Sequence, residues 1–120
     1  MTSKPASQHP VGIFDSGIGG LTVANAIHHL LPKETLVYFG DTAHLPYGDK
    51  SPAAIKSYGL HISDVLLKHK AKIIVIACNT ASAVAYQTVR EHVEDKVEVI
   101  NVIDPVVEKV IHDKSTGILV

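Results

Sequence analysis

Residues 73–82 read IIVIACNTAS, and the fold of the chain can be worked out from this segment. Five apolar residues, mostly β-branched, predict a buried strand. The run ends at Cys78, and residues that commonly cap helix starts follow it. Apolar residues then recur at helical spacing from Ala81 to Val93. Cys78 is therefore predicted where a parallel strand passes into a helix, which is the sheet edge at which ligands bind.

A thiol at that position faces free backbone N–H groups and the positive end of a helix dipole. Both favour the thiolate, the form of cysteine that performs chemistry. The alternative is a small core residue, the commoner role of a lone cysteine after an apolar strand. The polar residues that follow Cys78 favour the functional interpretation.

Other apolar runs predict further strands at Val11–Phe14, Leu36–Phe39, Val97–Ile103 and Gly117–Val120. Helical patterns lie between them, so the sequence predicts an α/β fold with an open, mostly parallel sheet and helices on both faces. Ser51 and Asp104 each precede a proline and are predicted to cap helices. The residues predicted to face inward from the first, second and fourth helices are Leu21, Ala24, Ile27 and Leu31; Ile55, Tyr58, Ile62, Val65, Leu66 and His69; and Val106, Val107, Val110 and Ile111.

Composition excludes several classes of protein. The 120 residues are 46% hydrophobic and 19% charged, which is typical of one globular domain. A net charge of −1 argues against a nucleic-acid binder. No apolar run is long enough to span a membrane, and the single cysteine fits a reducing compartment, so we expect a cytoplasmic protein. Residues 1–10 lack a signal-peptide core and are expected to form a disordered tail.

The chain ends inside an apolar run, with no helix to cover the strand that this run predicts. An uncovered parallel edge strand is a liability. We therefore expect the chain to be the first part of a longer protein.

A second polar turn, DSGIGG at residues 15–20, follows the first strand. It places Asp15 and Ser16 at the predicted ligand edge, with helix N–H groups available for an anion. A glycine-rich connector is the plain alternative. The dinucleotide fingerprint is incomplete because Thr22 stands at the third glycine position, although Asp41 lies where a ribose-binding acid would be. A nucleotide- or phosphate-binding module therefore remains a distant alternative.

The loop after the second strand contains Pro46, Tyr47 and Gly48. It is interpreted either as a β-turn with an exposed tyrosine or as a third binding loop at the same edge. The eight histidines form no metal-binding motif, and no second cysteine is present, so no metal site is predicted.

Three motifs together resemble the first half of glutamate racemase, in the aspartate/glutamate racemase superfamily. They are DSGIGGL at residues 15–21, GDTAHLPYG at residues 40–48 and ACNTAS at residues 77–82. The resemblance implies two pseudo-symmetric α/β lobes with the active site between them. It also implies cofactor-independent interconversion of L- and D-glutamate, which supplies D-glutamate for peptidoglycan.

The resemblance also implies roles for individual residues. Cys78 matches the cysteine that acts on the D-enantiomer, and Asp15 matches the acid that assists proton transfer or holds the substrate ammonium. The remaining positions that match substrate-binding residues are Ser16, Pro46, Tyr47, Gly48, Asn79 and Thr80. Glutamate is the implied small-molecule partner, a homodimer is compatible with the pattern, and aspartate is the close alternative substrate.

The chain departs from the family pattern in its second half. The family uses a second cysteine on the opposite side of the substrate, and this chain has none. Residues 11–100 correspond to the first lobe, and residues 101–120 to the crossing into a second lobe. Val106 stands where the family often has glycine. This chain alone is therefore not expected to racemise.

Overall fold

The computed structural model describes residues 5–113. Four strands alternate with four helices, as the sequence predicted, and the predicted strand at 117–120 lies outside the described residues. The strands are β1 (Val11–Asp15), β2 (Leu36–Gly40), β3 (Ile73–Ile76) and β4 (Glu98–Asn101). The helices are α1 (Leu21–Leu30), α2 (Pro52–Lys68), α3 (Asn79–Val93) and α4 (Asp104–Asp113), with single 3-10 turns at Ala6–Gln8, Thr42–His44 and Tyr47–Asp49.

The four strands form one parallel sheet in the order β2-β1-β3-β4. The predicted parallel α/β architecture is confirmed. The chain moves from β1 outward to β2 and then crosses back to β3 on the other side of β1. The point between β1 and β3 is a topological switch point, where the loops leaving neighbouring strands diverge and open a crevice.

The core lies on both faces of this sheet. On one face α2 and α3 pack over Phe14, Ile74 and Ile76, all fully buried. On the other face α1 packs over a smaller cluster of Val11, Ile13 and Val75. Strand side chains alternate between the two faces, so β1 and β3 contribute to both clusters.

The inward face of α1 differs from the prediction. Val23, Ala24 and Ile27 pack against the sheet, whereas Leu21 and Leu31 are about half exposed. The helix ends at Leu30, so Leu31 has left helical geometry and does not continue the predicted stripe.

The stripe of α2 is confirmed at Ile55, Ile62 and Leu66, which are buried. The prediction that His69 faces inward is wrong, because the residue is exposed. The helix ends at Lys68, and the His69 ring turns back so that Nδ1 lies 2.9 Å from the Val65 carbonyl oxygen.

The last strand and helix also differ from the prediction. β4 ends at Asn101, because the Asn101 side chain accepts hydrogen bonds from the backbone N–H groups of Ile103 and Asp104 and turns the chain. Asp104 lies inside α4, not before it. Val106 and Ile111 are 61% and 71% exposed, since no described element packs over that face.

Residues 5–10 were expected to belong to a disordered tail. Instead Ala6–Gln8 forms one exposed 3-10 turn. The carbonyl oxygen of Ser7 accepts a 2.7 Å hydrogen bond from Nζ of Lys72, which anchors the turn beside the start of β3. Among residues 5–113, no helix has the length and apolar character that crossing a membrane requires.

Candidate active site

The three sequence motifs meet at the carboxyl edge of the sheet. β1 and β2 end in register at Asp15 and Gly40, and β3 ends beside them at Ile76. Backbone hydrogen bonds extend these pairings into the loops, from Asp41 N to Asp15 O at 2.9 Å and from Ala77 N to Phe14 O at 2.8 Å. The loops after β1 and β3 flank the switch point, and the loop after β2 lies alongside.

Cys78 is the N-cap of α3 and is 8% exposed. Its Sγ accepts a 3.4 Å hydrogen bond from the backbone N–H of Ala81, and its carbonyl oxygen accepts the first intrahelical bond, from Ser82. A donor aimed at sulfur, at the positive end of a helix of 15 residues, stabilises negative charge on that sulfur. The thiol is free and stands where the sequence predicted it.

The first two N–H groups of α3 are open. The backbone N–H groups of Asn79 and Thr80 have no hydrogen-bond partner within residues 5–113, and the first bonded N–H group of the helix is that of Ala81. Asn79 is exposed and Thr80 half-buried. Unpaired N–H groups at a helix N-terminus bind carboxylates and other anions.

Asp15 is held through one of its two carboxylate oxygens. The residue is only 3% exposed, and Oδ2 accepts hydrogen bonds from Gly20 N at 2.7 Å and from the Tyr38 hydroxyl at 2.6 Å. Oδ1 has no protein partner in the described part of the chain, yet it is not sealed from solvent. The half-buried Ser16 beside it also has a hydroxyl without a protein partner among those residues.

Tyr38 has a pKa raised above its ordinary value. Burial is the largest cause, followed by the hydrogen bond to Asp15 and the negative charge of that carboxylate. The phenol therefore stays protonated and available as a donor across the physiological pH range. The sequence pattern indicates Tyr38 only as a residue of the second strand. The signal that could have found it is its position on β2, two residues before Gly40, which pairs with Asp15.

Tyr47 lies in the core, not in solvent. It is 2% exposed, and its ring packs edge-on against Phe14 at a centroid distance of 6.2 Å. The hydroxyl donates to Oδ2 of Asp41 at 2.6 Å. The interpretation of this segment as a β-turn with an exposed tyrosine is therefore wrong, and the Tyr47 hydroxyl is not free to bind a ligand.

The open groups of this loop are on the backbone. Pro46, which follows a cis peptide bond, and Gly48 are exposed. The Gly48 N–H has no hydrogen-bond partner within the described residues. A ligand would thus contact this loop through its main chain.

Asp41 closes the same loop from within. Its buried carboxylate accepts the Tyr47 hydroxyl on Oδ2, and Oδ1 lies 2.8 Å from Nδ1 of His44. The His44 ring stacks on Tyr58 at a centroid distance of 4.0 Å. Both carboxylate oxygens are thus occupied, which argues against Asp41 as a ribose-binding acid and weakens the dinucleotide alternative.

The site residues fall into two groups across the sheet edge. Asp15 and Tyr38 continue the side that faces α1, whereas Cys78 and Tyr47 belong to the core cluster on the α2 and α3 side. Burial raises the pKa of Tyr47, and the hydrogen bond to Asp41 and the negative charge of that carboxylate add to the effect. In the described part of the chain, no group of three His, Cys, Asp or Glu side chains could hold a metal ion.

Comparisons with known sequences and solved structures identify proteins that are similar to this chain. No protein-family model matches the chain. A glutamate racemase of Chlorobaculum tepidum is 45% identical over 114 residues, a match that covers 95% of this chain and 42% of that protein.

Solved structures agree with the sequence match. A glutamate racemase of Francisella tularensis in complex with D-glutamate is similar with a TM-score of 0.82 and 44% identity, over 86% of this chain and 39% of that one. A glutamate racemase of Aquifex pyrophilus also gives a TM-score of 0.82, with 45% identity over 89% of this chain and 41% of that one. The chain therefore spans less than half the length of these relatives, and it is a homologue of glutamate racemases that corresponds to their N-terminal portion.

Proposed function

We propose that this chain supplies one acid–base residue and part of the substrate-binding surface for cofactor-independent racemisation of glutamate. The observation that carries the proposal is the placement of Cys78 at the start of α3, beside unpaired N–H groups at the switch point. The homologous glutamate racemases, one of them in complex with D-glutamate, support glutamate as the substrate.

Cys78 is the proposed base. As a thiolate it removes the α-proton of D-glutamate, and as a thiol it returns a proton to the same face of the carbon. An α-proton beside a carboxylate is poorly acidic, so negative charge must be stabilised as it develops. The open N–H groups of Asn79 and Thr80 supply oriented donors for that carboxylate.

The remaining contacts follow from which groups are open. Oδ1 of Asp15 and the Ser16 hydroxyl can accept hydrogen bonds from the substrate ammonium. The Tyr47 hydroxyl is bonded to Asp41 and is not available to the substrate. The loop that contains Pro46 and Gly48 would therefore contact the side-chain carboxylate of glutamate through the loop backbone.

A complete racemisation needs a base on the opposite face of the α-carbon. Cys78 is the only cysteine among the 120 residues, so we infer that the second base lies outside this chain. Residues 11–100 would form the first lobe, and residues 101–120 would lead into a second one.

We further infer that the protein is cytoplasmic and able to form a homodimer, and that its product, D-glutamate, is used for peptidoglycan.

The test is hydrogen exchange at the α-carbon. The chain is incubated with D-glutamate in D₂O, and the α-proton is followed by NMR while chiral chromatography follows the configuration. We expect exchange with retention of the D-configuration, because one base serves one face. Cys78→Ala should abolish the exchange, and Ser57→Ala, an exposed position on α2, should leave it unchanged.

Three outcomes would contradict the proposal or part of it. Exchange that survives in Cys78→Ala would remove Cys78 as the base. Absence of both exchange and glutamate binding, combined with calorimetric binding of NAD, FMN or ATP, would favour the nucleotide-binding alternative. Faster exchange with D-aspartate than with D-glutamate would instead reassign the substrate.

A further inference from the structure

The hydroxyl of Tyr38 lies between an oxygen of Asp15, the last residue of β1, and an oxygen of Gly17, in the loop that follows. It is 2.6 Å from Oδ2 of Asp15 and 2.9 Å from the carbonyl oxygen of Gly17. A phenol has one hydrogen to donate and lone pairs with which to accept. When Asp15 is ionised both neighbours are acceptors, so the single hydrogen is directed to the charged Asp15 oxygen, the nearer and stronger of the two.

The same heavy-atom positions also suit protonated Asp15. With a proton on Oδ2, Asp15 donates to the Tyr38 oxygen, and the Tyr38 hydroxyl turns to donate to Gly17. With the proton on Oδ1, Tyr38 continues to donate to Oδ2. In each protonation state of Asp15, Oδ2 thus keeps its hydrogen bond to Tyr38 without movement of either side chain.

The backbone is built around this contact. Gly40 pairs with Asp15 across the sheet, and a Cβ on Gly40 would lie 2.2 Å from the Gly17 carbonyl oxygen. Absence of that Cβ lets the Gly17 carbonyl approach β2 and reach Tyr38. A Cβ on Gly20 would lie 2.7 Å from Cγ of Asp15, so glycine there lets the backbone N–H reach Oδ2.

We propose that Tyr38 is a positioning residue that holds the Asp15 carboxyl group in one place, with Oδ1 toward the open sheet edge, in both of its protonation states. This rests on the function proposed above, in which Asp15 assists proton transfer or holds the substrate ammonium. Tyr38 touches Asp15 and Gly17 and acts through them.

The test compares Tyr38→Phe with a matched control, Tyr86→Phe. Tyr86 is a half-buried tyrosine on α3, away from the loop of residues 15–20. In Tyr38→Phe we expect the rate of α-hydrogen exchange from D-glutamate to fall by about tenfold or more, as displaced catalytic groups typically cause. The apparent dissociation constant for D-glutamate should change far less. The Gly20 amide proton should shift in the NMR spectrum, because its acceptor Oδ2 has lost a second donor.

The outcomes separate this proposal from the one on which it rests. If the unsubstituted chain does not exchange the α-proton, the proposed function fails. If it does, and Tyr38→Phe exchanges at the same rate as Tyr86→Phe, the role of Tyr38 is wrong.

A second measurement needs no activity and keeps Tyr38 unchanged. In Asp15→Asn, the pKa of Tyr38 followed by ¹³Cζ NMR should fall, because the carboxylate contributes to its elevation. An unchanged Tyr38 titration in that variant would show that the two groups do not interact, and would overturn the proposal.

Discussion

Tyr47 donates a 2.6 Å hydrogen bond from its hydroxyl to Oδ2 of Asp41, and both side chains are buried. The bond joins two residues of one loop and lies beside the core that contains Cys78. The loop after β2 is therefore shaped by its own side chains, and it presents backbone groups to the open edge.

Tyr47→Phe should destabilise the fold by about 1–2 kcal/mol. The substitution keeps the packed ring but removes a hydrogen bond to a buried carboxylate, which leaves an Asp41 oxygen short of a donor. Urea unfolding measures the change in free energy. Tyr86→Phe, which removes a hydroxyl from a half-buried position, should change it much less, and equal losses in the two variants would contradict the interpretation.

Stability should fall as the pH rises above about 10, the ordinary pKa of tyrosine. The folded state raises the pKa of Tyr47, mainly through burial and the bond to Asp41. Above pH 10 the unfolded chain releases the phenolic proton while the folded chain keeps it, so alkali favours unfolding. Stability due to this group is complete below pH 10 and is lost above it.

One such tyrosine contributes a slope of about 1.4 kcal/mol per pH unit. Urea unfolding at several pH values above 10 should therefore give a shallower decline for Tyr47→Phe than for the unsubstituted chain. Parallel declines would mean that Tyr47 titrates alike in the folded and unfolded states.

Gly20→Ala should be strongly disfavoured, and Gly19→Ala tolerated. A Cβ at Gly20 would lie 2.7 Å from Asp15 Cγ and 3.0 Å from Ala77 Cβ, whereas a Cβ at Gly19 would meet nothing within 4 Å. Relief of this overlap should cost about 1–3 kcal/mol. Chemical denaturation of both variants tests the prediction, which fails if they unfold at the same midpoint.

Ser51→Ala should cost about 1 kcal/mol through loss of the α2 cap. The Ser51 hydroxyl oxygen accepts a 3.1 Å hydrogen bond from the backbone N–H of Ala54, a first-turn amide that has no carbonyl partner within the helix. Thermal or urea unfolding provides the measurement. Ser57→Ala, in the exposed interior of the same helix, is the control and should be close to neutral.

The order of the strands and helices, and the positions of the motifs, follow from local sequence patterns. Apolar runs of four or five residues that alternate with helical patterns indicate strands, and glycine and capping residues mark where they end. Ser51 and Cys78 were both located at helix starts on this basis, and the structure places both there. These are local properties, set by backbone geometry and side-chain periodicity within about ten residues.

Which side chains are free to contact a ligand depends on tertiary contacts. In the sequence, Tyr38 lies in an apolar run and Tyr47 in a turn, and an acidic residue is close to each of them. Only strand pairing brings Tyr38 beside Asp15, a residue 23 positions earlier in the chain. Only packing against Phe14 buries Tyr47 and directs its hydroxyl to Asp41.

The exposed face of α4 shows the same limit from the other side. Helical spacing of Val106, Val107 and Ile111 predicts an apolar stripe, but spacing cannot say what the stripe packs against. Periodicity reports which residues share a face, because it follows from the rise and twist of one element. Burial and hydrogen-bond partners depend on where the sheet places other elements, so the hydrogen-bond partners of Asp15, Tyr38 and Tyr47 emerge only from the folded chain.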